Sequence, residues 1–200
     1  MQDKKYSAGM VSKPFWYIEF KTIMELLAHG YSYDEIKEKA VTENLFGVPK
    51  EYRAREIFNG VSRRAKSLDA EAIKLFCAAD LTAKKALALI AVLKTDRLFF
   101  EFLHEVYREK ILLGLPSIES SDLNAFFGDK QARSETVAAW KEYTIKKLKN
   151  SYVNYLADSG LVLREGGSYK ITPPLLDSAV REYLSGGDMR QYLRALIGDR

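Results

Sequence analysis

The sequence predicts a mainly α-helical, multi-helix protein with helix-turn-helix-like units at both ends and a small C-terminal β-hairpin wing. Three observations carry this expectation. An arginine-rich amphipathic pattern spans roughly Lys50 to Ser67. A proline-free block rich in Ala, Leu and Phe fills the middle of the chain. A basic helical pattern, a glycine stop and a Gly-Gly turn follow one another between Trp140 and Pro174.

The elements are expected in this order. Pro14 and the aromatic run Phe15-Trp16-Tyr17 open a first helix that reaches Ala28, with His29-Gly30 as its stop. Ser32 with Glu35 three residues on makes a capping box for a helix from Tyr33 to Glu43. Phe46-Gly47-Val48-Pro49 is a turn, and the third helix runs from Lys50 to Ser67. Three helices joined by short turns fit a helix-turn-helix unit. On the third, Ala54, Ile57, Phe58, Val61, Ala65 and Leu68 share one face at ~100° per residue. Tyr52, Arg55, Asn59, Arg63 and Lys66 lie opposite, with Arg53 and Arg64 at the edges. A guanidinium forks to two acceptors, which suits phosphate and guanine contacts. A salt-bridged surface helix is the alternative, and Glu51 and Glu56 are the acids within it.

Three further helices are expected at Leu68 to Ala79, Leu81 to Leu93 and Thr95 to Leu113, with Asp69, Thr82 and Thr95 or Asp96 as N-caps. Gly114 to Ser121 reads as a linker, and Ser121 caps a helix from Asp122 to Phe127. From Trp140, the apolar face carries Thr144, Leu148, Tyr152 and Tyr155, while Glu142, Tyr143, Lys146, Lys147, Lys149, Asn150 and Asn154 face away. Gly160 ends this helix, as glycine does where a left-handed residue is needed. Leu161-Val162-Leu163 is a strand, Gly166-Gly167 a two-residue hairpin turn, and Tyr169 to Thr172 the return strand. Helices from Pro174 to Tyr183 and from Met189 to Ile197 close the chain. Three domains are expected: residues 1–67 helix-turn-helix-like, 68–113 a central helical platform, and 114–200 a winged helix-turn-helix.

Composition narrows the function classes. The 200 residues are 47% hydrophobic, enough for a well-buried core, and the net charge is only +4. A nucleic-acid site must therefore come from local clustering. Counting residues gives 12 basic and 9 acidic groups in 1–67, 7 and 7 in 68–113, and 12 and 11 in 114–200. One cysteine, Cys77, excludes an internal disulfide and a cysteine zinc cluster. The polar start carries no signal-peptide pattern and no apolar run approaches a membrane span, so a cytoplasmic protein is expected. Phosphate-loop, dinucleotide, zinc-protease, redox and nucleophile-elbow motifs are all absent. Glu101 and His104 have the i, i+3 spacing of di-iron helices, but no second such motif exists. No enzyme, metal or cofactor is expected.

Longer stretches carry a family resemblance: Lys13-Pro-Phe-Trp-Tyr-Ile-Glu19, Glu43-Asn-Leu-Phe46, Arg53-Ala-Arg-Glu-Ile-Phe58, the run from Lys94 to Lys110, Ser121 to Phe126, Trp140, Thr144 to Leu148, Leu156 and Gly160-Leu161. With these the chain resembles the BrxA family of bacterial BREX phage-exclusion systems across nearly its whole length. The resemblance implies a helical, non-enzymatic DNA-binding protein that works in phage defence beside a methyltransferase, an ATPase and other proteins of the system. A further likeness of that family to NusB-type RNA-binding proteins keeps RNA as a lesser alternative, and a protein adaptor is another. In the adaptor reading, the basic helices dock acidic partners and an exposed Phe15-Trp16 offers an interface.

The leading expectation is sequence-tolerant binding of duplex DNA. Lys146, Lys147 and Lys149 contact phosphates, and Asn150 reads an adenine edge. Arg53, Arg55, Arg63 and Arg64, with Asn59 and Lys66 on the same helix, form a second site. Arg164 and Lys170 reach the DNA from the wing.

Overall fold

Half of the α-helix starts among the described residues are set by a short polar side chain that accepts a hydrogen bond from a backbone N–H of the first turn. The computed structural model, which describes residues 4–198, shows such caps at Ser32, Asp69, Asp80, Asp96, Ser134 and Asp177. The expected capping box between Ser32 and Glu35 is present. At α5 (Leu81–Leu93) the cap is Asp80 rather than the expected Thr82, because a carboxylate just ahead of the helix reaches the Ala83 N–H. The chain is mainly helical, with one three-stranded antiparallel sheet near the C-terminus.

The described residues divide into two compact units, 16–95 and 4–15 with 96–198. The division expected from the sequence is three-part, at 1–67, 68–113 and 114–200. The first unit holds α1 (Tyr17–Ala28), α2 (Tyr33–Thr42), α3 (Glu51–Ala65), α4 (Ala70–Ala78) and α5. Residues Ala86 to Leu93 of α5 are all buried, and α1, α3 and α4 pack on this helix. A helix that is apolar all round is a core helix. The expected platform thus splits, with its first two helices completing the N-terminal unit. The first helix starts at Tyr17 and not at Pro14, since Trp16 sits in the left-handed region at φ 51° and breaks the helical path. Phe15 and Trp16 are buried, so the aromatic N-terminus is no exposed interface.

In the second unit, α6 (Arg97–Phe102) runs through one π turn, Leu103–Tyr107, into α7 (Arg108–Leu112). Then come β1 (Ser117–Ile118), α8 (Ser120–Arg133), the short α9 (Glu135–Ala138) and α10 (Glu142–Ser159). The hairpin β2 (Val162–Glu165) and β3 (Ser168–Ile171) precedes α11 (Ser178–Ser185), a 3-10 turn at Gly187–Met189, and α12 (Arg190–Ile197). Gly166 and Gly167 both have positive φ, as the tight turn requires. The sheet order is β1-β3-β2, with Ser117 opposite Lys170 and Leu163 opposite Lys170 on the other side. The expected linker before α8 therefore contains a strand. Its two residues have no strand pattern of their own and are held by pairing with β3.

Other bounds differ for local reasons. Helix α8 begins one residue before Ser121, and the Glu119 N–H donates to the Asp122 carboxylate at 2.6 Å. Trp140 lies outside α10, because Lys141 is extended. Helix α11 starts only after Asp177 instead of at Pro174. The core of the unit is aromatic: Phe99, Phe102 and Phe127 all pack on Tyr152, with centroids 4.7, 5.3 and 5.4 Å away. Such pairs add to simple area burial. The N-terminal segment belongs here too. Tyr155 Oη donates to the carbonyls of Lys13 and Pro14, and Tyr6 Oη donates to Glu101 at 2.8 Å.

Candidate nucleic-acid interface

The 18-residue helix α10 turns one face inward, burying Ile145, Leu148, Tyr152, Val153, Tyr155 and Leu156. At 3.6 residues per turn this leaves the expected solvent arc outside. Glu142, Tyr143, Lys146, Lys147, Asn150 and Asn154 are exposed, and Lys149 is half-buried. The Gly160 cap at φ 83° then lets the chain reverse directly into β2.

The lysines differ in environment. Lys146 and Lys147 are paired with no carboxylate among the described residues, and Lys147 lies 5.4 Å from the Tyr143 ring centroid. Lys149 is tied to α8: its Nζ donates to Asn124 Oδ1 at 2.7 Å and stands 5.8 Å from the centre of Phe127. A groove of about 280 Å³ runs between α8 and α10, with Lys146, Lys149 and Asn150 on one side, Ser120 and Asn124 on the other, and Tyr169 of β3 at its end. Sequence reasoning had no access to Ser120, Asn124 or Tyr169. Nothing in a one-dimensional pattern pairs α8 with a lysine 25 residues away.

On the hairpin, Arg164 and Lys170 are both exposed. Arg164 donates to Asn154 Oδ1, which joins the hairpin to the solvent face of α10. Lys170 stands 3.6 Å from Glu165, an exposed pair of little strength.

Helix α3 carries the second predicted set. Its apolar stripe is buried as expected, and Arg55, Asn59, Arg63 and Lys66 are exposed. The edge arginines are engaged elsewhere. Arg64 is 4% exposed, with its guanidinium 5.6 Å from the Trp16 ring. Its expected role at a DNA backbone is therefore corrected: it is a packing residue. Arg53, half-buried, lies 5.9 Å from the same ring and pairs with Glu56 at 2.6 Å. Arg55 pairs with Glu51, and Lys66 sits over Tyr33 at 4.6 Å. Both acids within the helix are thus used on it.

Glu101 of the Glu101–His104 pattern belongs to an ion network. It takes hydrogen bonds from Lys130, Arg97 and Tyr6 at 2.7, 2.7 and 2.8 Å, and Lys130 also reaches Glu105 at 2.7 Å. Burial raises the Glu101 pKa, but these donors outweigh it and hold the carboxyl below its ordinary value. Among the described residues no group of three or more His, Cys, Asp or Glu is placed to hold a metal ion. Among those residues, too, no helix is long and apolar enough to cross a membrane.

Comparison with known proteins places this architecture. A family model described as BrxA matches residues 4–187. A relative from Bacillus cereus (strain H3081.97), named BREX protein BrxA, is 37% identical over 199 residues, covering 100% of both chains. The crystal structure of an uncharacterized protein from Magnetospirillum magneticum shares the fold at a TM-score of 0.79 and 17% identity, covering 98% of this chain and 100% of that one. The full-length match and the family model over residues 4–187 agree: the chain belongs to the BrxA family.

Proposed function

We propose that this chain is a non-enzymatic, largely sequence-tolerant double-stranded DNA-binding component of a BREX-type phage-defence system, and that α10 and the β2–β3 hairpin form its main DNA contact. The observation that carries the reading is the exposed Lys146 and Lys147 pair, without carboxylate partners among the described residues, on a helix followed directly by a two-stranded wing. The order α6–α7, β1, α8, the short α9, α10, β2, β3 with sheet order β1-β3-β2 suits a winged helix. In helix-turn-helix domains the second helix of the motif lies in the major groove, and α10 holds that place here. Lys146, Lys147 and Lys149 take phosphates, Asn150 faces base edges, and Arg164 and Lys170 hold the flanking backbone. Arg55, Asn59, Arg63 and Lys66 of α3 offer a second phosphate-binding face, from which Arg64 is removed. The pair that occupies Arg55 is surface-exposed and weak enough to yield to a phosphate.

A mobility-shift titration over salt tests this. Five neutralised phosphates give a slope of log affinity on log salt of about −4 to −5. Absence of duplex binding at about 50 mM salt rejects the reading.

A second reading has its own observation. Leu113 and Leu115 are 71% and 45% exposed beside a shallow apolar groove bordered by Glu105 and Glu109. An adaptor that docks another BREX protein there loses that partner on Leu113→Asp with Leu115→Asp while duplex binding persists. Retention of the partners by this variant rejects it.

A further inference from the structure

We infer that the groove between α8 and α10 seats one phosphate of the bound backbone, and that Asn124 and Ser120 of α8 are contacts of that site, Asn124 also positioning Lys149. The inference rests on the reading of α10 as a DNA contact and adds a second helix to it.

The argument begins with an amide. Asn124 Oδ1 accepts the Lys149 ammonium at 2.7 Å, so its NH2 group is left to donate outward. Ser120 stands one turn earlier on α8 and is exposed, and both residues line the same groove. Across it, Lys146, Lys149 and Asn150 bring two ammonium groups and an amide. Residues with hydroxyl, amide and ammonium donors thus line, from two helices, a space of about 280 Å³ whose remaining lining includes Leu123, Ile145 and Val153. Glu142 supplies the one carboxylate in the lining, one helical turn from Lys146. A singly charged, multiply accepting group satisfies such a donor set, and a phosphodiester is that group in a nucleic acid.

The second part concerns order. A lysine on a solvent-facing helix loses several rotatable bonds of freedom when it grips a ligand. Lys149 has already lost much of it: Asn124 holds the charge, and Phe127, one turn further along α8, stands against it at 5.8 Å. Lys147 has only the Tyr143 ring, at 5.4 Å, and among the described residues neither it nor Lys146 has a hydrogen bond to hold its ammonium. Lys149 is therefore the pre-set member of the three, and Asn124 is what sets it.

The test uses the full chain and one duplex, titrated across salt, with Asn124→Ala, Lys149→Ala, the double variant and Asn124→Asp. Thermal melting confirms that each is folded. Asn124→Ala is expected to weaken binding roughly three- to tenfold. Its salt slope becomes shallower by about 0.9, the same change as Lys149→Ala. The double variant loses less than the product of the two single losses, because Asn124→Ala already takes away most of the Lys149 contact. Asn124→Asp keeps an oxygen for Lys149 yet binds worse than Asn124→Ala, since its charge repels the phosphate; a merely structural role spares it. Wild-type affinity in Asn124→Ala, or losses that multiply in the double variant, overturn the inference. Failure of the wild-type chain to bind any duplex overturns the DNA reading beneath it, a separate and recognisable result.

Discussion

Gly60 of α3 leaves the space that the indole of Trp16 fills: a Cβ on Gly60 would lie 2.7 Å from Trp16 Cζ3. The ring has little room to retreat. Trp16 is 8% exposed, its backbone is fixed in the left-handed region, and the Arg53 and Arg64 guanidinium groups lie 5.9 and 5.6 Å from it. Gly60→Ala is therefore expected to destabilise by about 1–3 kcal/mol, despite the better helix propensity of alanine. Gly128 of α8 is the contrast: beyond its chain neighbours and its own helix backbone, no atom of the described residues lies within 4 Å of a Cβ built there. Gly128→Ala should stabilise by roughly 0.5–1 kcal/mol. Denaturant unfolding of both variants reads the two signs, and a Gly60→Ala as stable as the parent refutes the close-packing account.

The lysine face of α10 and the buried arginine of α3 predict separable defects. Lys146→Ala with Lys147→Ala should weaken binding to every duplex and make the salt slope shallower by about 1.8. Arg64→Ala should leave that slope alone and lower stability by about 1–2 kcal/mol through the lost stacking on Trp16. A change only in base preference for the lysine variant contradicts the phosphate assignment.

The Glu101 network predicts an acid limb. The folded pKa of Glu101 lies below the ordinary 4.5, because Lys130, Arg97 and Tyr6 outweigh burial. Its contribution is thus fully present above pH 4.5 and lost as pH falls through the lower folded value. Lys130 is opposite in sign. Burial lowers its pKa, the bonds to Glu101 and Glu105 outweigh that and hold it above the ordinary value, and its contribution fades only as pH rises beyond 10.5. The stability gap between wild type and Glu101→Gln should be widest near pH 7 and narrow towards about pH 3. A gap independent of pH over that range contradicts the network.

Tyr152 offers a fourth test. Its hydroxyl is buried without a hydrogen-bond partner among the described residues, and that burial pushes its pKa well above the ordinary value. Tyr152→Phe removes an unsatisfied polar atom and keeps the ring contacts with Phe99, Phe102 and Phe127. Stability should be unchanged or higher by up to about 1 kcal/mol. A clear loss of stability in a melting experiment would show that the hydroxyl has a partner.

What was legible in the sequence was what neighbours along the chain decide. The stripe Ala54, Ile57, Phe58, Val61, Ala65 and Leu68 marked the buried face of α3, and all six are buried. Ser32 and Glu35 marked a helix start, Gly160 a stop, and Gly166-Gly167 a turn, since each rests on the reach of one side chain or on the φ of one residue. Helical periodicity likewise placed Lys146, Lys147 and Asn150 on the solvent face of α10.

Tertiary structure decided what depends on a distant partner. Ser117 and Ile118 are strand only because β3 lies beside them, and Arg64 is buried with its guanidinium against Trp16, 48 positions earlier. Residues Glu101 and Glu105 both reach Lys130 across a π turn that no local pattern announced. The same holds at the candidate site. Sequence periodicity supplied its lysines, while packing of α8 against α10 brought Asn124 to Lys149. Helical facing is set within a few residues by backbone geometry, whereas the neighbour a side chain meets is set by how whole elements pack.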